Sequence, residues 1–249
     1  MSELLNFLLL IFLGALAGFL NVTAGGGSLL TLPFLIFLGL PAGVANGTNR
    51  IAILVQNIFA TARFHQFKVV PKGVTLITAV PAIAGAIVGA QIAVDIDEAL
   101  FKRLLAVIMI LVMGLMFFRK TEKPPSTPAA LNPKQSALLA ASFFAVGVYG
   151  GFIQGGIGFL IITVLSLAGY DLVKTNALKV LVVLIFTPFA LGIFIVNGQV
   201  DFLKGLTLAV GNASGAWVAS RVVVEQGHNF IRWIVMIAVL AFAVKLFFG

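Results

Sequence analysis

No charged residue occurs between Leu4 and Asn49, and none between Gln135 and Tyr170. A helix needs about 20 apolar residues to cross a bilayer. Each run is too long for one crossing and just long enough for two short helices joined by a bend. The bend is marked in both. Gly18-Phe19-Leu20-Asn21, followed by Gly25, Gly26 and Gly27, recurs as Gly151-Phe152-Ile153-Gln154, followed by Gly155, Gly156 and Gly158. Glycine-broken apolar helices at matching places in two halves of a chain are the sequence pointer to a transporter binding site.

Composition puts the chain in lipid. Of its residues 61% are hydrophobic and only 10% charged, against roughly a quarter charged in a soluble domain. With no cysteine and two histidines, there is no thiolate chemistry and no histidine cluster for a metal. The net charge of +8 is the excess expected of cytoplasmic loops rather than a nucleic-acid footprint. Ala15-Leu16-Ala17 has the look of a signal-peptide cleavage site, but the only early charge is Glu3. Signal peptides begin with a basic region, so the segment is expected to be retained.

Apolar segments fall at about 4–24, 28–39, 44–63, 73–93 and 100–118, then at 136–154, 157–169, 174–196, 203–221 and 229–248. Between the two sets lies a polar linker with Pro124, Pro125 and Pro128. The expected organisation is a first transmembrane repeat at 1–118, a cytoplasmic linker at 119–135 and a second repeat at 136–249. The duplication extends further: Ala45-Asn46-Gly47 aligns with Thr175-Asn176-Ala177, and Gly85 and Gly89 align with Gly211 and Gly215. The fold class is therefore an all-α polytopic membrane protein of two repeats, each of about five hydrophobic segments with a glycine-broken hairpin. The repeats are inverted whether the hairpins cross fully or only dip in, because either count of crossings per unit is odd. The basic linker is placed in the cytoplasm, which puts the Asp95 and Asp201 loops outside. The expected location is the cell (inner) membrane, with multiple passes.

Two clusters carry candidate binding chemistry. One is the first glycine break: Asn21, Thr23, Gly25, Gly26, Gly27 and Ser28. Glycine lets backbone N–H groups converge on a ligand, and a following helix start adds its positive end. Its repeat supplies Gln154, Gly155 and Gly156. The other is the start of the third segment: Asn46, Thr48, Asn49, Arg50 and Gln56. Arg50 is expected about 10 Å in from the preceding loop, where an ionisable group is a functional candidate by default. The repeat supplies Asn176, which aligns with Asn46, and Lys179, which aligns with Asn49, one place from Arg50. The competing reading is that each cation snorkels to the headgroups. No intramembrane acid is placed to oppose them, which favours an anionic ligand. His65 is a candidate proton relay or an interfacial residue, and Trp217 and Trp233 are interface or packing aromatics.

The run from Gly18 to Arg50, with Ala24-Gly25-Gly26-Gly27-Ser28, Leu32-Pro33, Leu40-Pro41 and Ala45-Asn46-Gly47-Thr48-Asn49, resembles the TauE/SafE family. These are bacterial and archaeal permeases linked to sulfite, sulfoacetate and other sulfonates. The second copy departs from the first, since Gln154-Gly155-Gly156-Ile157-Gly158 lacks a glycine triplet and a following Leu-Pro. The resemblance implies transport of a sulfur oxyanion or organosulfonate.

The leading expectation is a secondary transporter of a small anion, such as sulfite, an organosulfonate or a carboxylate, working by alternating access. The partners are that anion, the lipid bilayer and a coupling proton or ion, with no nucleic acid and no cofactor. No Gly-x4-Gly-Lys-Ser/Thr loop is present to bind ATP. A passive anion channel is the close alternative. An intramembrane hydrolase using Ser214 and His228 is a remote one, so no catalytic residue and no enzyme activity are expected.

Overall fold

Each uncharged run folds as two helices parted at its glycines. The structure, a computed structural model, describes residues 3–70, 72–118 and 131–225. These are entirely helical: α1 (Glu3–Thr23), α2 (Ser28–Phe37), α3 (Ala42–Gln66), α4 (Lys72–Asp95), α5 (Glu98–Phe118), α6 (Pro133–Phe152), α7 (Ile157–Leu167), α8 (Leu172–Val196) and α9 (Phe202–Glu225). The tenth apolar segment, with His228 and Trp233, and residues 119–130 of the linker lie outside the described residues. Four helices, α1, α4, α6 and α8, contain stretches long and apolar enough to cross a membrane. Leu76, Val80, Leu138, Val196 and Val210 are each more than half exposed, an outward apolar belt that lipid covers at no cost.

The first four helices of the chain correspond one to one with the four described helices of the second half. α1 and α6 are 21 and 20 residues, α2 and α7 are 10 and 11, α3 and α8 are both 25, and α4 and α9 are both 24. Packing is swapped between them, α1 lying along α9 and α6 along α4 as the two most extensive contacts. Small residues make both possible. Gly14 and Gly18 lie on the backbone of Leu208 and Asn212, while Gly211 and Gly215 lie on Ile11 and Ala15. In the other pair Gly85 and Gly89 face Phe144 and Val148, while Gly147 and Gly151 face Ala82 and Ala86. Without a hydrophobic drive between helices in lipid, such backbone-to-backbone approach supplies dispersion contact.

These registers fix the direction of each helix. The Asp201 N–H at the head of α9 donates to Thr48 Oγ1 (2.8 Å), and Gln199 lies beside Gly43 near the head of α3. So α3 begins where α8 ends, and the two equivalent helices run oppositely. The repeats are inverted. α1 runs in the same direction as α9, so it enters from the end where α3 also begins. The chain must come back to that end through α2, and Gly27 at the turn is folded against Ala17. At 1.5 Å per residue, α2 and α7 are about 15–17 Å long, half of a hydrocarbon core of about 30 Å. The glycine hairpins are therefore re-entrant.

Candidate functional site

The breaks at residues 24–27 and 153–156 meet at the centre of the molecule, and left-handed backbone makes each turn. Gly25 has φ 81° and Gly156 has φ 74°, whereas Gln154 reaches φ 61° with a full side chain. A non-glycine residue held there is strained by its surroundings, a feature that clusters at ligand clamps.

Between the breaks and the middles of α3 and α8 lies a cavity of about 20 Å³, room for about one water. Its polar wall is Asn21, Ser28, Gln56, Asn57, Gln154 and Lys179, drawn from both repeats, and no carboxylate lines it among the described residues. Apart from Asn57, whose Nδ2 donates back to the Ile53 carbonyl (2.7 Å), the wall is a connected hydrogen-bonded network. Gln56 Oε1 accepts from Asn21 Nδ2 (2.9 Å) and from Asn212 Nδ2 (3.2 Å). Asn21 Oδ1 accepts from the Ser28 N–H (2.9 Å), and Ser28 Oγ donates to the Gln154 carbonyl (3.2 Å). Gln154 Nε2 donates to Thr187 Oγ1 (3.0 Å). Gln154 Oε1 and Asn212 Oδ1 are buried with no partner, which is costly in a low-dielectric interior.

Both cations are buried rather than snorkelling, Arg50 at 0% and Lys179 at 2% exposure. Arg50, eight residues and about 12 Å into α3, crosses to the other repeat. Its Nη1 donates to the Gly150 carbonyl (3.0 Å) and its Nη2 to the Gly151 carbonyl (2.5 Å) and Asn46 Oδ1 (3.4 Å). The guanidinium also lies 4.5 Å from the Phe194 ring centroid. Lys179 does the mirror-image thing. Its Nζ donates to the Asn21 and Val22 carbonyls (both 2.8 Å) and to Asn176 Oδ1 (2.6 Å). Each cation thus sits at the carbonyl-rich, negative end of a broken helix, where positive charge is favoured.

The other residues singled out in the sequence take different places. Asn46 Nδ2 donates to the Phe152 carbonyl (2.7 Å), extending the grip on the end of α6. Asn49 Oδ1 accepts from Thr31 Oγ1 (2.7 Å), and Thr23 Oγ1 bonds back to the Phe19 carbonyl (2.8 Å). The Gly155 carbonyl accepts from the Tyr149 hydroxyl. His65 is exposed in the last turn of α3, away from the cavity wall. Trp217 packs edge-on to Phe59, with the Arg63 guanidinium over the Trp217 ring, 4.8 Å from its centroid. Ser214 Oγ donates to the Gly211 carbonyl within its own helix (2.7 Å). Sequence reasoning passed over Asn57, Thr187 and Asn212. Their signal was an amide or hydroxyl in mid-span, the same that singled out Gln56.

The profile of the family described as sulfite exporter TauE/SafE matches residues 10–246. The probable membrane transporter protein YfcA of Escherichia coli K12 is 29% identical, over 96% of this chain and 88% of its own length. A probable membrane transporter protein of Haemophilus influenzae is 27% identical, over 90% of this chain and 88% of its own. The probable membrane transporter protein ORF9 of a Sinorhizobium species is also 27% identical, over 93% and 88%. No solved structure matches. A family match spanning both glycine breaks and both cation-bearing helices places this chain in the TauE/SafE family of membrane transporters.

Proposed function

We propose that this transporter is a permease for a small anion, with sulfite, an organosulfonate or a related sulfur oxyanion or carboxylate as its substrate class. The observation that carries the reading is the central cavity: an ammonium and several amide and hydroxyl groups from two inverted repeats, with no opposing carboxylate among the described residues. Asn, Gln and Ser donors hold oxygen atoms with little desolvation cost, and Lys179 supplies the charge. Sulfite, a sulfur with its oxygens, is larger than the single water that the cavity accommodates. In this conformation the cavity is too small for such a substrate, which enters only when a hairpin moves. Inverted repeats supply two near-equivalent arrangements for exposing one site to either side. We place the end carrying Lys68, Lys134, Lys174 and Arg221 in the cytoplasm of the inner membrane, with Asp95, Asp97 and Asp201 outside. Transport is driven by an ion gradient or by the substrate's own.

The test is uptake into liposomes holding the purified protein, over sulfite, sulfate, taurine, sulfoacetate and acetate, with and without a pH gradient. Saturable uptake of at least one of these anions, with KM raised by Lys179→Gln, is the expected result. Flux linear in concentration would replace the permease by a channel, and no flux of any anion would end the reading.

A further inference from the structure

Arg50 and Lys179 stand one register position apart in the equivalent helices α3 and α8, yet neither bonds within its own repeat beyond a neighbouring asparagine. Arg50 reaches the last carbonyls of α6, and Lys179 those of α1. These carbonyls belong to the ends of broken helices, where the following turn supplies a backbone N–H only to Asn21, from Gly25 (3.1 Å), and none to Val22, Gly150 or Gly151. They are buried far from water. The two cations differ in one respect. Lys179 stands on the wall of the central cavity, and Arg50 does not. An ammonium has three N–H donors and no more, and all three of Lys179's are taken by Asn21, Val22 and Asn176. An anion that takes hold of Lys179 must displace at least one of them.

We propose that Arg50 and Lys179 are crossed clasps, each long helix fixing the other repeat's re-entrant hairpin, and that an anion captured by Lys179 releases the α1–α2 hairpin while Arg50 keeps the α6–α7 hairpin shut. Both are positioning residues for the opposite repeat, and Lys179 is in addition the link between occupancy and movement. The release step rests on the anion site proposed above; the clasps do not. Asymmetry follows from geometry. The hairpin of the first repeat is the responsive gate, and that of the second is the fixed wall. The sequence difference between the breaks fits this division. The moving break has three consecutive glycines at 25–27, and the fixed one holds a strained Gln154.

Hydrogen exchange on the full chain in lipid nanodiscs separates the two steps. Without any anion substrate, Arg50→Gln should speed exchange in peptides covering 147–153 by about tenfold or more, the scale of losing a hydrogen bond from a charged donor. Peptides covering 18–25 should be unchanged. Lys179→Gln should do the reverse, and Arg50→Lys and Lys179→Arg should largely restore the wild-type pattern. If the glutamine forms do not fold, the conservative variants carry the test through their residual change, expected in the opposite repeat alone; a residual change confined to the substituted repeat overturns the clasps. Faster exchange confined to the substituted repeat, or none, overturns the clasps. In the second step, sulfite, taurine, sulfoacetate and acetate are each added against chloride at equal ionic strength. The anion that liposomes take up should speed exchange at 18–25 relative to 147–153 in the wild type, and not in Lys179→Gln. Uptake without that change overturns the release step alone. Absence of uptake of every anion removes the site reading and the release step with it, leaving the clasps judged by the first experiment.

Discussion

Gly25 and Gly158, one from each re-entrant hairpin, meet backbone against backbone with no side chain between them. A Cβ on Gly158 would lie 2.5 Å from the Gly25 Cα, and one on Gly25 would overlap the backbone of Gly158. The contact joins residues from opposite repeats beside the proposed binding cavity, so its closeness governs how far the hairpins can approach.

Alanine at these two glycines should separate two effects. Gly158→Ala adds only overlap, at about 1–3 kcal/mol for an overpacked core. Gly25→Ala adds the same overlap and a left-handed backbone, which costs a further 1–2 kcal/mol or roughly that. Thermal unfolding in detergent should therefore rank Gly25→Ala below Gly158→Ala, and both below wild type. Uptake per folded molecule should fall in both. Equal melting temperatures for the two variants would show that the turn at Gly25 relaxes.

Helix-to-helix approach gives a second comparison. Gly215 lies against the Ala15 carbonyl and Gly89 against that of Val148, whereas Gly114 in α5 and Gly192 in α8 have nothing among the described residues within 4 Å of an added Cβ. Gly215→Ala and Gly89→Ala should each destabilise by about 1–3 kcal/mol. Gly114→Ala and Gly192→Ala should be neutral or gain up to about 1 kcal/mol from lower unfolded-chain entropy. Melting temperatures of the four check this. A stabilised Gly215→Ala would mean that α1 and α9 are not held as closely as described.

Much of this was legible in the sequence because lipid makes its demands crudely. Long uncharged runs have to be helical, and a glycine cluster inside one has to be a break. Residues 24–27 and 153–156 were visible for that reason. The burial of Arg50 and Lys179 was legible from their depth in apolar segments. Their partners were not. These are backbone carbonyls of Gly150, Gly151, Asn21 and Val22, which carry no residue-specific signature and lie in the other repeat. Most of the cavity's polar wall was legible: Asn21, Ser28, Gln56, Gln154 and Lys179 stood out, while Asn57 did not. Asn212, which bonds to Gln56 from behind the wall, drew no notice beside Gly211 and Gly215, which marked the duplication.

Gln56 is the residue through which that wall can be interrogated. Its Oε1 is the shared acceptor for Asn21 and Asn212. Gln56→Leu leaves both amides without it, at about 1–3 kcal/mol for each buried donor. Gln56→Glu keeps an acceptor but brings a carboxyl to an anion site. Its buried carboxyl favours the neutral form at low pH and ionises as pH rises. Uptake by Gln56→Glu should therefore fall with rising pH more steeply than wild-type uptake, with KM carrying the change. Gln56→Leu should mainly lower the melting temperature. A Gln56→Glu variant with wild-type KM at every pH would remove Gln56 from the substrate's surroundings.

The turn between α8 and α9 should respond to acid in a defined direction. Asp201 takes the Lys204 N–H (2.9 Å) and the Lys204 ammonium (2.6 Å), while its own N–H holds Thr48 at the head of α3. Partial burial pushes the Asp201 carboxyl up. The hydrogen bonds and charge of Lys204, with the Leu203 N–H, together outweigh it and hold the group below its ordinary 3.8. A carboxyl lowered in the folded state adds stability above its unfolded value and gives it up as pH falls through the folded one. Asp201→Ala should thus cost about 1 kcal/mol at pH 7, the usual value of such a helix cap. The gap to wild type should begin to narrow near pH 4 and close at still lower pH. Melting curves of the two proteins from pH 7 to pH 2.5 give the comparison. A gap that stays constant across that range would assign the whole effect to the loss of side-chain packing and none to the carboxylate.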